Sequence, residues 1–380
     1  MSARVRRRRL SVAGAALMLA VVAAKIWLPE TAFAVLAGVD GLADGRSGPV
    51  TFASFTPTPR DLEAGTFKTG AVEVTAELTL PAGTGRVPAA ILVHGSAGVS
   101  DHHRRYARLL AKWGIAALVV DSFSPRGITS TVGDQGAISP HAMLVDAYAA
   151  LELLATHPRI DRKRIALIGW SKGGTVALLA ARRRYRDRLA KADHRFAALV
   201  GFYPWCGEQD SRLALTGAPL LLLLGAEDDW TGARACQDYA KRIAAAGYPV
   251  KAITYPGAEH GFDYDGQARY YLARARDWSD CTYLARRDGF VIARNGRFRP
   301  WSALGDYFRA CSRPGAHTAA NPAARDRAHA DLKAFLFSVF KLDGDQSARA
   351  THSISTSNSK GQEATVTKVR AGGWAPKYSR

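Results

Sequence analysis

From Ala71 onward the chain repeats one pattern: a short apolar run, a Gly-rich or acidic loop, then apolar residues at helical spacing. Val72 to Leu80 alternates apolar and polar side chains as a half-buried strand does, and Pro81 stops it. Ala89–Val93, Ile115–Val120, Ile165–Ile168, Phe196–Phe202 and Leu220–Leu224 are almost unbroken apolar runs, the mark of strands covered on both faces. Val250–Tyr255 is a further strand. Helices are predicted over about His102–Trp113, Ser139–Thr156, Thr175–Tyr185, Ala233–Ala246 and Pro322–Phe340, the first with Tyr106, Leu109, Leu110 and Trp113 on one face. This alternation predicts an α/β fold with a mostly parallel sheet, helices on both faces and a ligand site at the carboxyl ends of the strands.

Three stretches stand outside the rhythm. Residues 35–70, rich in Gly, Pro, Thr and Ala without a sustained period, read as an extended lead-in. Residues 266–320, rich in Arg, Asp and aromatics, read as an insertion before the last helix. Residues 343–380 are Ser/Thr/Lys/Gly-rich and nearly free of large apolar side chains, so they read as a disordered basic tail. The main domain is therefore expected over 71–342.

Composition narrows this picture little. With 380 residues and 47% hydrophobic content the chain is neither wholly disordered nor a small disulfide scaffold. The formal charge is +19; residues 1–34 hold +5 of it and 343–380 hold +3, leaving +11 on the 308 residues between. That balance suits nucleic acid, a membrane surface or anionic substrates and does not choose among them. Arg6–Arg9, the uncharged stretch Leu10–Ala24 and Ala32-Phe33-Ala34 read as a secretory signal cleaved after Ala34. The alternative is an uncleaved anchor reaching Leu28, with Lys25 snorkelling. Either way the expected location is periplasmic or secreted, with membrane attachment only if the segment is kept.

The four cysteines, Cys206, Cys236, Cys281 and Cys311, suit an exported chain with disulfides. Three connectivities are open; sequence-local pairing would close two loops of similar length. No Cys-x-x-Cys or nearby Cys/His pair suggests zinc, and no metal or cofactor is called for. Asp101-His102-His103 reads as a solvated first turn of a helix, since adjacent histidines point to different faces.

Gly169-Trp170-Ser171-Lys172-Gly173-Gly174 lies between a predicted strand and a predicted helix. Gly-x-Ser-x-Gly in that context is a nucleophile elbow, a strained turn that lifts a serine hydroxyl above the sheet. A serine hydroxyl needs a base to take its proton, and the base needs an acid to orient it. The next predicted strands end in candidates for both: Gly225-Ala226-Glu227-Asp228-Asp229-Trp230, then Pro256-Gly257-Ala258-Glu259-His260-Gly261-Phe262. Asp228 is the expected acid, with Asp229 and Glu227 as alternatives, and His260 the expected base. The backbone N–H of Lys172 and that of Ser96, in the loop His94-Gly95-Ser96-Ala97-Gly98, are the candidate donors to a developing oxyanion; His94 is expected to order that loop.

The stretches HGSAG at 94–98, VVDSFSPRG at 119–127, GWSKGG at 169–174, GAEDDW at 225–230 and PGAEHGF at 256–262 together resemble the dienelactone hydrolase family of the α/β-hydrolase fold. The resemblance spans roughly residues 71–262 and implies an esterase or lactonase using Ser171, Asp228 and His260. Founding members carry cysteine as the nucleophile where this chain, like many relatives, has serine. The resemblance thus implies ester hydrolysis without implying dienelactone as the substrate. It also suggests an arginine holding a substrate carboxylate, for which Arg126 is the candidate. The expected partner is a small-molecule ester or lactone, not nucleic acid. Two other readings are a serine peptidase of prolyl-oligopeptidase type and a non-catalytic envelope protein whose basic surface holds polyanions.

Overall fold

The computed structural model describes residues 41–342; the expected signal segment and the basic tail lie outside them. The core is an eight-stranded sheet in the order β1-β2-β4-β3-β5-β6-β8-β9. Its strands are β1 (Gly48–Phe55), β2 (Ala71–Thr79), β3 (Val87–Val93), β4 (Ala116–Asp121), β5 (Ile160–Trp170), β6 (Ala198–Phe202), β8 (Leu220–Gly225) and β9 (Val250–Tyr255). β1 and β2 run antiparallel at one edge; from β4 to β9 every neighbouring pair is parallel. β7 (Glu208–Asp210) leaves this sheet to join a smaller one.

The apolar runs become the parallel strands because both faces are covered. Ile91, Leu118, Leu167 and Leu222 point to one side, where α3 (Pro140–Leu154), α4 (Lys172–Ala180) and α6 (Ala233–Ala245) cover them. Their neighbours Leu92, Val119, Ile168 and Leu221 point to the other, under α2 (Asp101–Lys112) and α8 (Pro322–Phe340). Ser139 starts α3 by accepting the Ala142 N–H on its side chain, with Pro140 at the first helical position where its missing N–H costs nothing. Among the described residues, no helix is long and apolar enough to cross a membrane.

Two expectations need correction here. The lead-in contains an edge strand and a short helix, α1 (Pro59–Ala64). Val50, Phe52 and Ser54 alternate inward in β1, which pairs with β2 along its whole length from Gly48–Leu78 to Phe55–Ala71. The single helix expected over Thr175–Tyr185 is broken into α4 and α5 (Arg183–Leu189). The break falls at Arg182, whose fully buried guanidinium turns in to Glu208, 2.5 Å to Oε1 and 2.7 Å to the main-chain oxygen.

The 266–320 insertion is a folded cap. Two-residue strands β10 (Tyr270–Tyr271) and β11 (Arg276–Asp277) pair back on residues 317–318 and 313–314. β12 (Tyr283–Ala285), β13 (Gly289–Ile292) and β14 (Phe298–Pro300) form a meander whose first strand pairs parallel with β7 of the main domain. α7 (Leu304–Cys311) packs on it through Tyr307 and Phe308. Disulfides join Cys206 to Cys236 and Cys281 to Cys311, each across 30 residues, the sequence-local pairing. Closing a loop of that length should stabilise the fold by about 3–4 kcal/mol on the chain-entropy account. The double variant Cys281→Ser/Cys311→Ser is expected to lose that amount in urea denaturation; an unchanged midpoint would refute it.

Candidate active site

The backbone must turn sharply between β5 and α4, and two glycines make that possible. A Cβ on Gly169 would sit 1.9 Å from the Gly173 oxygen, and one on Gly173 would sit 2.1 Å from the Val93 oxygen. Between them Ser171 adopts φ 51°, ψ −113°, a left-handed conformation costly for a side-chain-bearing residue. The Ser171 N–H is satisfied by the Phe202 oxygen at 2.9 Å.

The loops after β8 and β9 bring the acid and the histidine to this serine. His260 Nε2 lies 3.0 Å from Ser171 Oγ, and its Nδ1 lies 2.9 Å from Asp228 Oδ2. Asp228 is further fixed by the Trp230 and Thr231 N–H groups on Oδ1 and the Thr231 hydroxyl, 2.8 Å from Oδ2. Burial opposes ionisation of Asp228, but the His260 ring and the Thr231 donors outweigh it and hold the carboxyl below the ordinary aspartate range. The imidazole is wedged between Tyr203 and Trp230, with ring centroids 4.6 and 4.7 Å away. In such a chain the histidine can take the serine proton while the acid fixes its tautomer. Asp229 turns the other way and binds His317 of the cap, 2.6 Å from Nδ1.

The loop after β3 approaches so closely that a Cβ on Gly95 would lie 3.1 Å from Ser171 Cβ. His94 orders this loop: its Nδ1 donates to the Gly95 oxygen at 2.8 Å and its Nε2 accepts the Ser122 N–H at 3.2 Å. Burial pushes its pKa down, in keeping with a neutral ring. Ser96 and Lys172 both border the cavity beside Ser171. The Lys172 N–H opens α4 and so has no acceptor within the helix. The Lys172 ammonium donates to the Gln135 and Ile138 oxygens, at 3.0 and 2.8 Å, and burial lowers its pKa to about 7.

The structure corrects two other expectations. Arg126 does not face the cavity. Its guanidinium forms a two-pronged pair with Asp146, both contacts 2.9 Å, and also binds the Ser122 and Phe55 oxygens, so no fork remains for a substrate. The histidine pair in the first turn of α2 is not solvated. His102 stacks on Tyr264 at 4.0 Å and, with His103, packs against Trp170, because this turn faces the sheet.

That contact belongs to a network with no local signature in the sequence. Asp263 is buried directly behind the serine and histidine and accepts from Tyr106, Tyr203 and Trp170 at 2.7, 2.7 and 2.9 Å. Burial opposes its charge; the His102 ring at 3.4 Å and the hydroxyl donors prevail and keep the carboxyl well below its ordinary range. Trp170 precedes Ser171 and Tyr203 touches His260, so one carboxylate braces both sides of the hydrogen-bonded chain. Asp263 follows His260 by three residues, but nothing in that spacing foretold its partners. Glu259 and Asp265, the other carboxylates of this stretch, pair with Arg269 and with Arg105 and Arg325.

Ser171 opens onto a cavity of about 690 Å3. Its walls come from both layers of the molecule, Trp205, Trp230 and Thr175 below and Trp278, Tyr283 and Trp301 from the cap.

A family model described as the dienelactone hydrolase family matches residues 74–287. A Bradyrhizobium protein named as a probable 2-oxo-3-(5-oxofuran-2-ylidene)propanoate lactonase is 29% identical over 203 residues, 49% of this chain and 78% of that protein. A Yersinia pestis protein, provisionally named carboxymethylenebutenolidase, is 29% identical over 206 residues, 51% of this chain and 75% of that one. Among solved structures, the native esterase 2 of Thermogutta terrifontis aligns with a TM-score of 0.42 at 18% identity, covering 51% of this chain and 81% of its own.

Proposed function

The chain belongs to the dienelactone hydrolase family and is a carboxylic ester hydrolase, and from that premise we propose that it cleaves an ester or lactone through an acyl-enzyme on Ser171, with His260 as general base and Asp228 orienting it. The observation that carries this reading is the unbroken chain Ser171 Oγ–His260 Nε2, His260 Nδ1–Asp228 Oδ2 at 3.0 and 2.9 Å.

Ser171 Oγ attacks the substrate carbonyl as its proton passes to His260 Nε2. The carbonyl oxygen takes up the negative charge and is met by the N–H groups of Lys172 and Ser96. The C–O bond to the alcohol then breaks, and the alcohol leaves with the proton held by His260. Water repeats the sequence: its proton goes to His260, its oxygen bonds the acyl carbon, and Ser171 Oγ leaves and recovers a proton. Asp228 stays ionised throughout and stabilises the imidazolium that forms twice per turnover.

The two disulfides suit an oxidising compartment. Together with the N-terminal signal pattern they support a site of action in the periplasm or outside the cell.

A fluorophosphonate probe with peptide mapping tests the nucleophile. Covalent mass is expected on the peptide holding Ser171 and to be absent in Ser171→Ala. A folded protein that stays unlabelled, or is labelled elsewhere, would refute the assignment.

A further inference from the structure

We propose that the cap selects the substrate: this hydrolase acts on uncharged esters that carry a bulky aromatic group, not on small carboxylate-bearing lactones. The inference rests on the ester-hydrolase reading of Ser171 and adds the substrate class.

The first observation is the wall. Trp205, Trp278 and Phe308 meet with ring centroids 5.0 to 6.5 Å apart, and Tyr283 continues the surface to Trp301 at 6.2 Å. All five border the same cavity as Ser171, and Trp230 joins them beside His260. Offset and edge-on aromatic surfaces at such spacing gain most from another aromatic ring laid against them. Cavities of about 300–1,000 Å3 enclose ligands of drug size, so a lactone of a few carbons would leave most of 690 Å3 unfilled.

The second observation is that the wall is built, not incidental. β12 adds Tyr283 to β7, with the Tyr283 N–H on the Gly207 oxygen at 2.7 Å. The Trp205 indole donates to the Trp278 oxygen at 3.2 Å. Cys281–Cys311 ties the start of β12 to the end of α7, and Cys206–Cys236 anchors the chain next to Trp205. The rings therefore pack on one another as a single wall whose free faces border the cavity.

The third observation is charge. A carboxylate in an enclosed site needs a guanidinium or ammonium free to meet it. Arg126 and Arg182 do not border the cavity, and the Lys172 ammonium, which does, already donates to two carbonyls. Arg60 and Arg287 border the cavity and are exposed, so solvent and salt screen the charge that they could offer a carboxylate. The buried side of the wall carries Glu208 already paired with Arg182, so it offers no free positive charge to a substrate carboxylate.

The test measures kcat/KM for four esters on the whole protein: ethyl acetate, monoethyl succinate, ethyl 3-phenylpropanoate and 2-phenylethyl acetate. At least one phenyl ester is expected to exceed both of the others by 30-fold or more. The preferred phenyl ester tells whether the ring belongs to the acyl or the alcohol part. Trp278→Ala and Trp301→Ala should each cut that preference at least tenfold, and Trp278→Phe should restore most of it, which a merely unfolded variant could not do. A preference below threefold, or monoethyl succinate as the best substrate, would overturn the proposal. Fluorophosphonate labelling of the same samples separates the failures: labelled Ser171 without the preference sinks only the substrate class, while unlabelled Ser171 sinks the hydrolase reading beneath it.

Discussion

Ser171→Ala should lower kcat for ester hydrolysis by about 10^4- to 10^6-fold while leaving the fold intact. Serine, histidine and acid act as one unit, so loss of the nucleophile removes nearly everything the set contributes beyond binding and oxyanion stabilisation. His260→Ala should cost about as much, and Asp228→Asn somewhat less, roughly 10^4-fold, by leaving the imidazole in the wrong tautomer. The Ser171→Ala/His260→Ala double variant should fall no further than either single one, because the second change deletes a group that no longer has work to do. Alanine tolerates φ 51° about as poorly as serine does, so the backbone strain at the elbow is unchanged and the melting temperature should hold. The check is initial-rate kinetics alongside thermal denaturation. Residual activity within tenfold of wild type for Ser171→Ala would remove this serine from the chemistry.

Much of this is legible in the sequence because parallel strands buried on both faces must be apolar throughout, and loops at their carboxyl ends collect the polar groups. Leu220–Leu224 and Ile165–Ile168 announce themselves, and the acids, glycines and His260 that follow such runs stand out against them. The edge behaves otherwise. β1 buries only Val50, Phe52 and Ser54, and its outward residues are Pro49, Thr51 and Ala53, so the strand hides within a Gly- and Pro-rich stretch. Buried polar groups hide more completely, since their partners are far away in sequence. Asp263 meets Tyr106 across 157 residues and Tyr203 across 60, and neither spacing carries a local signal. The cap's aromatic content was visible as composition, but which rings face Ser171 depends on β12 pairing with β7, a contact across 75 residues from Glu208 to Tyr283.

Arg126→Ala should destabilise the protein by about 3–5 kcal/mol and leave substrate discrimination unchanged. In the chain's family such a position invites a substrate-binding role, and an arginine in a loop after a strand looks free in sequence. Here its side chain is only 7% exposed and that of its partner Asp146 not at all. Removing the guanidinium leaves a carboxylate in the core beneath α3 with little besides the Ser54 hydroxyl at 2.5 Å. It also strips the Phe55 and Ser122 oxygens of a donor, which loosens β1 from the loop after β4. An uncompensated buried charge is among the most costly single defects, and for a domain of this size the melting temperature should drop by roughly 10 °C. Arg126→Lys cannot reproduce two parallel N–H bonds and should recover only part of the loss. Arg126→Met combined with Asp146→Leu removes both charges together and should recover more than the lysine does. The two roles predict opposite patterns. A substrate clamp would raise KM for monoethyl succinate relative to ethyl acetate without moving the melting temperature; the buried pair moves the melting temperature and leaves that ratio within about twofold.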